Sequence, residues 1–172
     1  YGLGGISRRV IQGILFSCNA NLCAVCSSSI EKAKAFKEEY GAEKAYDSYE
    51  EMLKDANLDM VYICTPNYLH AKHIQIALSH RKHVVCEKPM CVSTEELNDC
   101  FDYAKRQNCF LMEAHKTVFT PLNQKLFEII SNEELGEVKS IDAQYATRLA
   151  EQISDWHFNQ VGAGCMFDIG VY

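Results

Sequence analysis

The sequence predicts an α/β chain that begins as a doubly wound parallel sheet and opens into a second, sheet-containing domain. Three observations carry this. Short apolar or β-branched runs alternate with amphipathic helical runs at roughly 20–30 residues per pair, the rhythm of a parallel sheet built by crossovers. A glycine-rich turn, Gly2-Leu3-Gly4-Gly5-Ile6-Ser7, stands directly before the first helical run. A strand-like run, Val84-Val85-Cys86, stops at Glu87-Lys88-Pro89, where proline holds a charged pair in a fixed turn. The rhythm changes near Thr117, which divides the chain into residues 1–117 and 118–172.

The elements follow in order. Glycines at the first two places of G-x-G-x-x-small let the chain turn tightly and let a pyrophosphate approach the backbone. Ser7 takes the third small place, and the helical run Val10 to Phe16 then supplies N–H donors and a dipole to an anion. Leu22 to Cys26 reads as a strand, and Ile30 to Tyr40 as a helix with Ile30, Ala33, Phe36 and Tyr40 inward. Ser27-Ser28-Ser29 closes the strand where an acid would hydrogen-bond the ribose 2′-OH of NAD. Small hydroxyls with Arg8 or Lys32 nearby suit a 2′-phosphate better, so NADP is favoured over NAD. Ser29 can equally be the N-cap of the next helix.

Lys44 to Tyr46 reads as a short strand, and Ser48-x-x-Glu51 as the capping box of a helix over Tyr49 to Lys54. Asp59 to Cys64 is a buried strand closed by Thr65-Pro66-Asn67, with a helix from about Tyr68 to Ser79. His70 and His73 are three apart on it, but no third ligand accompanies them, so no metal is expected. One of them is expected to face the cofactor crevice and the other solvent. Ser93-x-x-Glu96 caps a helix whose buried stripe is Leu97, Cys100, Phe101 and Ala104, and Phe110 to Glu113 is the next strand. Leu122 to Ile130 is amphipathic, with Leu122, Leu126, Ile129 and Ile130 on one face. Val138 to Arg148 reads as a long strand of mixed polarity. Asp168 and Tyr172 are four apart, so a helix there puts both on one face.

Composition sets the outer limits. The chain has 172 residues, 48% hydrophobic and 23% charged, with 3 prolines and a net charge of −6. That is a folded composition without a Lys/Arg block, which argues against a nucleic-acid surface or a polybasic membrane anchor. Nine scattered cysteines, several inside elements, read as reduced thiols in a reducing, cytoplasmic compartment. Cys23-x-x-Cys26 has no second pair at metal spacing. No apolar run is long enough to span a membrane. Tyr1 is not an initiator methionine and the glycine turn follows at once. A fragment cut at both ends, lacking the strand that feeds that turn, is therefore expected.

Taken together, these motifs resemble the glucose–fructose oxidoreductase / inositol dehydrogenase (Gfo/Idh/MocA) family. The resemblance rests on Gly2 to Ser7, Thr65-Pro66-Asn67 with His70, Lys82 to Pro89, and Asp168-Ile169-Gly170-Val171-Tyr172. It implies a Rossmann domain followed by a domain with an open antiparallel sheet, in an oxidoreductase passing hydride between nicotinamide and a sugar, polyol or related alcohol or carbonyl. Lys88 matches the family's catalytic lysine and Asp168 its active-site aspartate. Tyr172 falls where many members have histidine and where the glucose–fructose oxidoreductase and dimeric dihydrodiol dehydrogenase branch has tyrosine. Gly162-Ala163-Gly164-Cys165 departs from the glycine run of many members.

The candidate cofactor contacts are Gly2, Gly4, Gly5, Ile6, Ser27, Ser28, Thr65, Pro66, Asn67, His70, Glu87 and Lys88. A free tyrosine has a pKa of about 10, which a lysine ammonium close by lowers. Tyr172 is therefore expected as acid/base, with Lys88 tuning it and binding the substrate oxygen. Asp168 is expected to orient the substrate or the lysine. The family also implies homo-oligomers through sheet faces. The rival expectation is a non-catalytic dinucleotide-sensing regulator of the same fold.

Overall fold

The computed structural model describes residues 1–145, 161–168 and 170–172. Its contacts divide into two units, Tyr1–Ala114 and His115–Tyr172.

In the first unit, helix α1 (Gly5–Phe16) starts at the glycine turn, with Gly4 as N-cap. Strand β1 (Ala24–Cys26) leads to α2 (Ile30–Tyr40), β2 (Lys44–Tyr46) to α3 (Tyr49–Leu53), and β3 (Met60–Ile63) through a 3-10 turn to α4 (His70–Ser79). Strand β4 (His83–Cys86), helix α5 (Thr94–Gln107) and strand β5 (Leu111–Glu113) complete it. Every pairing is parallel: β1 with β2, and β3–β4–β5 in that order.

The caps are local and as the sequence predicts. Ser29, Ser48 and Ser93 each accept from the backbone N–H three residues on. Gly41, at φ 72°, ends α2 in the left-handed conformation that glycine adopts without strain.

Between β1 and β3 runs the backbone of Tyr1 and Gly2. Gly2 N–H donates to the Cys26 carbonyl at 3.1 Å, and Cys64 N–H donates to the Tyr1 carbonyl at 2.8 Å. The Tyr1 backbone nitrogen donates to the Tyr62 carbonyl at 2.7 Å. This residue pair joins the two sheets. Behind it lies a cavity of about 530 Å³ flanked by Leu22–Val25 and Met60–Tyr62. The Tyr1 ring stacks on Tyr49 at 3.9 Å, and His73 meets both rings edge-on.

Burial falls into two cores. The larger gathers Met52, Leu53, Ile63, Ile74, Leu78, Val84 and Cys86 under α3, α4 and α5. The smaller joins Leu3, Ile11, Val25, Ala33 and Phe36 between α1, α2 and β1. Phe101, predicted to be buried, is 39% exposed, because the inward stripe of α5 runs through Cys100 and Ala104.

His70 and His73, expected to face crevice and solvent, are both buried, at 1% and 9% exposure. Neutral His73 packs between aromatic rings, and burial brings its pKa down to about 4. Unfolded histidine takes its proton near pH 6.5. Between those values the unfolded chain holds more protons, so stability present above pH 6.5 is lost as pH falls toward 4. The loss is up to about 3 kcal/mol. Urea unfolding across this window is expected to show that slope, and His73→Asn to flatten it.

In the second unit, α6 (Pro121–Ser131) begins with Thr120 as N-cap and proline in its first turn. Its apolar face is largely uncovered: Leu122 is 79% exposed, while Ile129 and Ile130 are half-buried. The strand predicted over Val138 to Arg148 does not form over 138–145, which have no described strand neighbour to pair with. Residues 146–148 lie outside the described residues. Helix α7 (Cys165–Asp168) ends at Asp168, so Tyr172 lies past it rather than on its face.

Candidate active site

The first unit brings its chemistry to the carboxyl ends of β3, β4 and β5, the edge where open parallel sheets hold ligands. There Glu87-Lys88-Pro89-Met90 makes a turn with a cis Lys88–Pro89 peptide. Three side chains tether it. Tyr62 donates its hydroxyl to Glu87 Oε1 at 2.9 Å, and Glu87 Oε2 accepts from Lys88 N–H at 3.3 Å. Glu113 Oε1 accepts from Met90 N–H at 2.7 Å. His70 Nδ1 lies 2.8 Å from the Pro89 carbonyl, and its Nε2 lies 2.7 Å from the Thr65 carbonyl.

Burial, then the neighbouring Glu87 charge, pushes the Tyr62 pKa up and keeps it a hydroxyl donor. The turn that presents Lys88 is thus fixed from β3, α4 and β5 together. His70 spends both ring nitrogens on backbone carbonyls, so it serves the turns rather than offering an edge to a ligand.

Tyr62 and Glu113 are absent from the sequence-based candidates as tethers. The available signal was positional: with Glu87 they are polar residues at the carboxyl ends of three apolar parallel strands. Glu113→Ala is expected to cost about 1–3 kcal/mol, because it leaves the buried Met90 N–H without its acceptor. Glu113→Gln, which keeps an oxygen in place, is expected to cost much less in chemical denaturation.

At the glycine turn, Gly2 has φ 86°, and a Cβ there would come within 2.8 Å of the Cys64 carbonyl. Nothing lies within 4 Å of where a Cβ would stand on Gly4 or Gly5. Helix α1 has no acidic residue in its first turn and no side-chain cap, while Ser7 Oγ closes the turn on the Gly4 carbonyl at 2.6 Å. Exposed backbone donors, open space above two glycines and a helix dipole fit a dinucleotide phosphate. Ile6 is exposed beside them.

Ser27 is buried with Oγ toward Ser29 N–H, Ser28 is exposed, and Ser29 caps α2. Arg8 lies over the Phe36 ring at 4.6 Å. Its Nη1 donates to Glu39 and to Tyr40 Oη, which raises its pKa. On the other side of the turn Thr65 Oγ1 lies 3.0 Å from His73 Nδ1, Pro66 is exposed, and Asn67 opens the 3-10 turn.

The second unit gathers its own group. His115 Nε2 is 2.7 Å from the Val171 carbonyl, its ring centroid is 5.3 Å from that of Tyr172, and Lys116 Nζ is 5.4 Å from the Tyr172 ring centre. Asp168 N–H donates to the Gly164 carbonyl at 3.1 Å. Among the described residues no three His, Cys, Asp or Glu side chains gather as a metal site, and all nine cysteines are free thiols. No helix among them is long and apolar enough to cross a membrane.

A parallel sheet with an open glycine turn at the start of its first helix has the layout of a dinucleotide-binding domain. Residues 1–115 match the model of the oxidoreductase family with the NAD-binding Rossmann fold, GFO_IDH_MocA, and the chain belongs to that family.

Among its relatives is a D-xylose 1-dehydrogenase (NADP(+)) of Haloferax volcanii, 34% identical over 172 residues, covering 99% of this chain and 53% of the relative. Another is the trans-1,2-dihydrobenzene-1,2-diol dehydrogenase of Mus musculus, 33% identical over 158 residues, covering 91% of this chain and 46% of the relative. Among solved structures, a 3-ketoreductase from Actinomadura kijaniata in complex with TDP-benzene and NADP matches with a TM-score of 0.72 at 26% identity. That match covers 76% of this chain and 42% of the reductase. The chain spans about half the length of the curated relatives it matches.

Proposed function

We propose that the protein is an NADP-dependent oxidoreductase that interconverts an alcohol and a carbonyl on a sugar- or polyol-like substrate. The observation that carries this reading is the Lys88 turn, anchored by Tyr62, His70 and Glu113 at the sheet edge. Such anchoring suits a charge held ready for a reacting oxygen. NADP rather than NAD is supported by Ser27-Ser28-Ser29 after β1, where no acid is available to hold a ribose hydroxyl pair. The relatives named for NADP point the same way.

Bound nicotinamide supplies the hydride acceptor in oxidation and the donor in reduction. Gly2, Gly4, Gly5 and Ile6 seat the pyrophosphate, Ser27 and Ser28 take the 2′-phosphate side, and Thr65, Pro66, Asn67 and Glu87 flank the ring end. In oxidation Tyr172 takes the hydroxyl proton, Lys88 holds the oxygen as charge develops, and Asp168 orients the substrate; in reduction the proton returns by the same route. Residues 118–172 begin the substrate-binding domain, and the intact protein associates with copies of itself through sheet faces.

Calorimetric titration of the intact protein with NADPH and NADH, followed by absorbance assays across sugars and polyols, tests this. Tighter NADPH binding with turnover is expected. Binding without turnover across the panel would instead favour the dinucleotide-sensing regulator.

A further inference from the structure

His70 stands at the first position of α4 and is 1% exposed. Its two ring nitrogens face two oxygens, the Pro89 carbonyl at 2.8 Å and the Thr65 carbonyl at 2.7 Å. Carbonyl oxygens only accept. A neutral imidazole has one N–H and one lone pair, so it can satisfy one of these oxygens and must turn a lone pair toward the other. Only the imidazolium donates to both. Both separations are shorter than the usual N–H···O distance of about 2.9–3.0 Å and fall where charge-assisted bonds lie.

We infer that His70 is a positioning residue whose doubly protonated ring straps the Thr65-Pro66-Asn67 turn to the Glu87-Lys88-Pro89 turn. Burial is the largest influence and leaves the ring below the ordinary histidine pKa. The two carbonyls, then Glu87 and Glu113, oppose burial without reversing it. The charged and titratable groups around the ring come from three elements: Glu87 past the end of β4, Glu113 at the end of β5, and His73 on α4 itself. The two carboxylates are anchored in the same network, through Tyr62 and Lys88 N–H for Glu87 and through Met90 N–H for Glu113. His73, with its pKa near 4, adds no charge at neutral pH.

The consequence runs with pH. As pH rises through the pKa of the ring, the second proton leaves, one of the two bonds is lost, and the two turns uncouple. The bearing of this on catalysis rests on the role proposed for Lys88; the protonation itself does not.

The test is a long-range ¹H–¹⁵N correlation series on the intact, ¹⁵N-histidine-labelled protein from about pH 5 to 9, which spans ordinary histidine titration. His70 is assigned through bonds from its own backbone, so no variant has to fold. At the acid end of the series both ring nitrogens are expected in the protonated range. At higher pH they are expected to convert with a midpoint shared by the amide signals of Asn67 and Met90. A neutral tautomer pattern at every pH of the series, or a ring titration that leaves Asn67 and Met90 unmoved, would overturn the strap. A doubly protonated ring in a protein without turnover would keep the strap and remove the role given to Lys88.

Discussion

Replacing Lys88 with methionine in the intact protein is expected to lower turnover by about a hundredfold to a thousandfold, the usual effect of removing one donor to a developing oxyanion. Methionine keeps the length and much of the apolar stem of lysine but has no ammonium. The turn itself is held by the Glu87 carboxylate, the Pro89 carbonyl and the Met90 N–H, none of which the substitution touches. The fold and most of the dinucleotide affinity should therefore survive. Steady-state kinetics beside calorimetric NADPH titration separates the two effects. Turnover within about tenfold of the parent, with affinity unchanged, would remove Lys88 from the chemistry, since that is less than such a donor contributes.

Gly2→Ala is expected to destabilise the first unit by about 2–4 kcal/mol, combining left-handed backbone strain with overpacking. The residue sits at φ 86°, and the new Cβ would come within 2.8 Å of the backbone carbonyl of Cys64 and 2.9 Å of the Thr65 methyl. Backbone at the end of β3 cannot swing aside as a long side chain would. Because Gly2 also hydrogen-bonds β1 through Cys26, the damage reaches the joint between the two sheets as well as the glycine turn. Gly4→Ala is the control: nothing lies within 4 Å of its Cβ position, so little stability should be lost. Thermal melting compares the two, and NADPH titration then reads how each changes binding. Equal melting of both variants would contradict the steric argument.

Much of this unit was legible because its signals are local. A serine cap acts across three residues, so Ser29, Ser48 and Ser93 could be read directly from spacing. The alternation of β-branched runs with helical stripes gave the parallel sheet, and polar residues at strand ends marked the edge where Lys88 stands.

The tethers were hidden by distance. Tyr62 meets Glu87 across 25 residues, Glu113 meets Met90 across 23, and His70 meets Pro89 across 19. Helical spacing also could not say which face of α4 would be covered. The rings of Tyr1 and Tyr49 closed over His73, and the loops closed over His70, where an exposed histidine had been expected. In the second unit the error ran the other way. Val138 to Tyr145 has the composition of a strand without a described partner, and pattern alone does not supply the neighbour that a strand requires.

The unequal division of the apolar core has a dynamic consequence. The glycine turn belongs to α1, which rests on the smaller cluster of Leu3, Ile11, Val25, Ala33 and Phe36, whereas the Lys88 turn stands on the larger one. Cooperative units with less buried surface open at lower free energy. The half that carries the glycine turn should therefore breathe more often than the half that carries Lys88. A ligand that binds only the closed form stabilises it by mass action. Dinucleotide would then act on α1 and α2 as a missing part of their core, slowing amide exchange there while leaving β4 and α5 almost as they were.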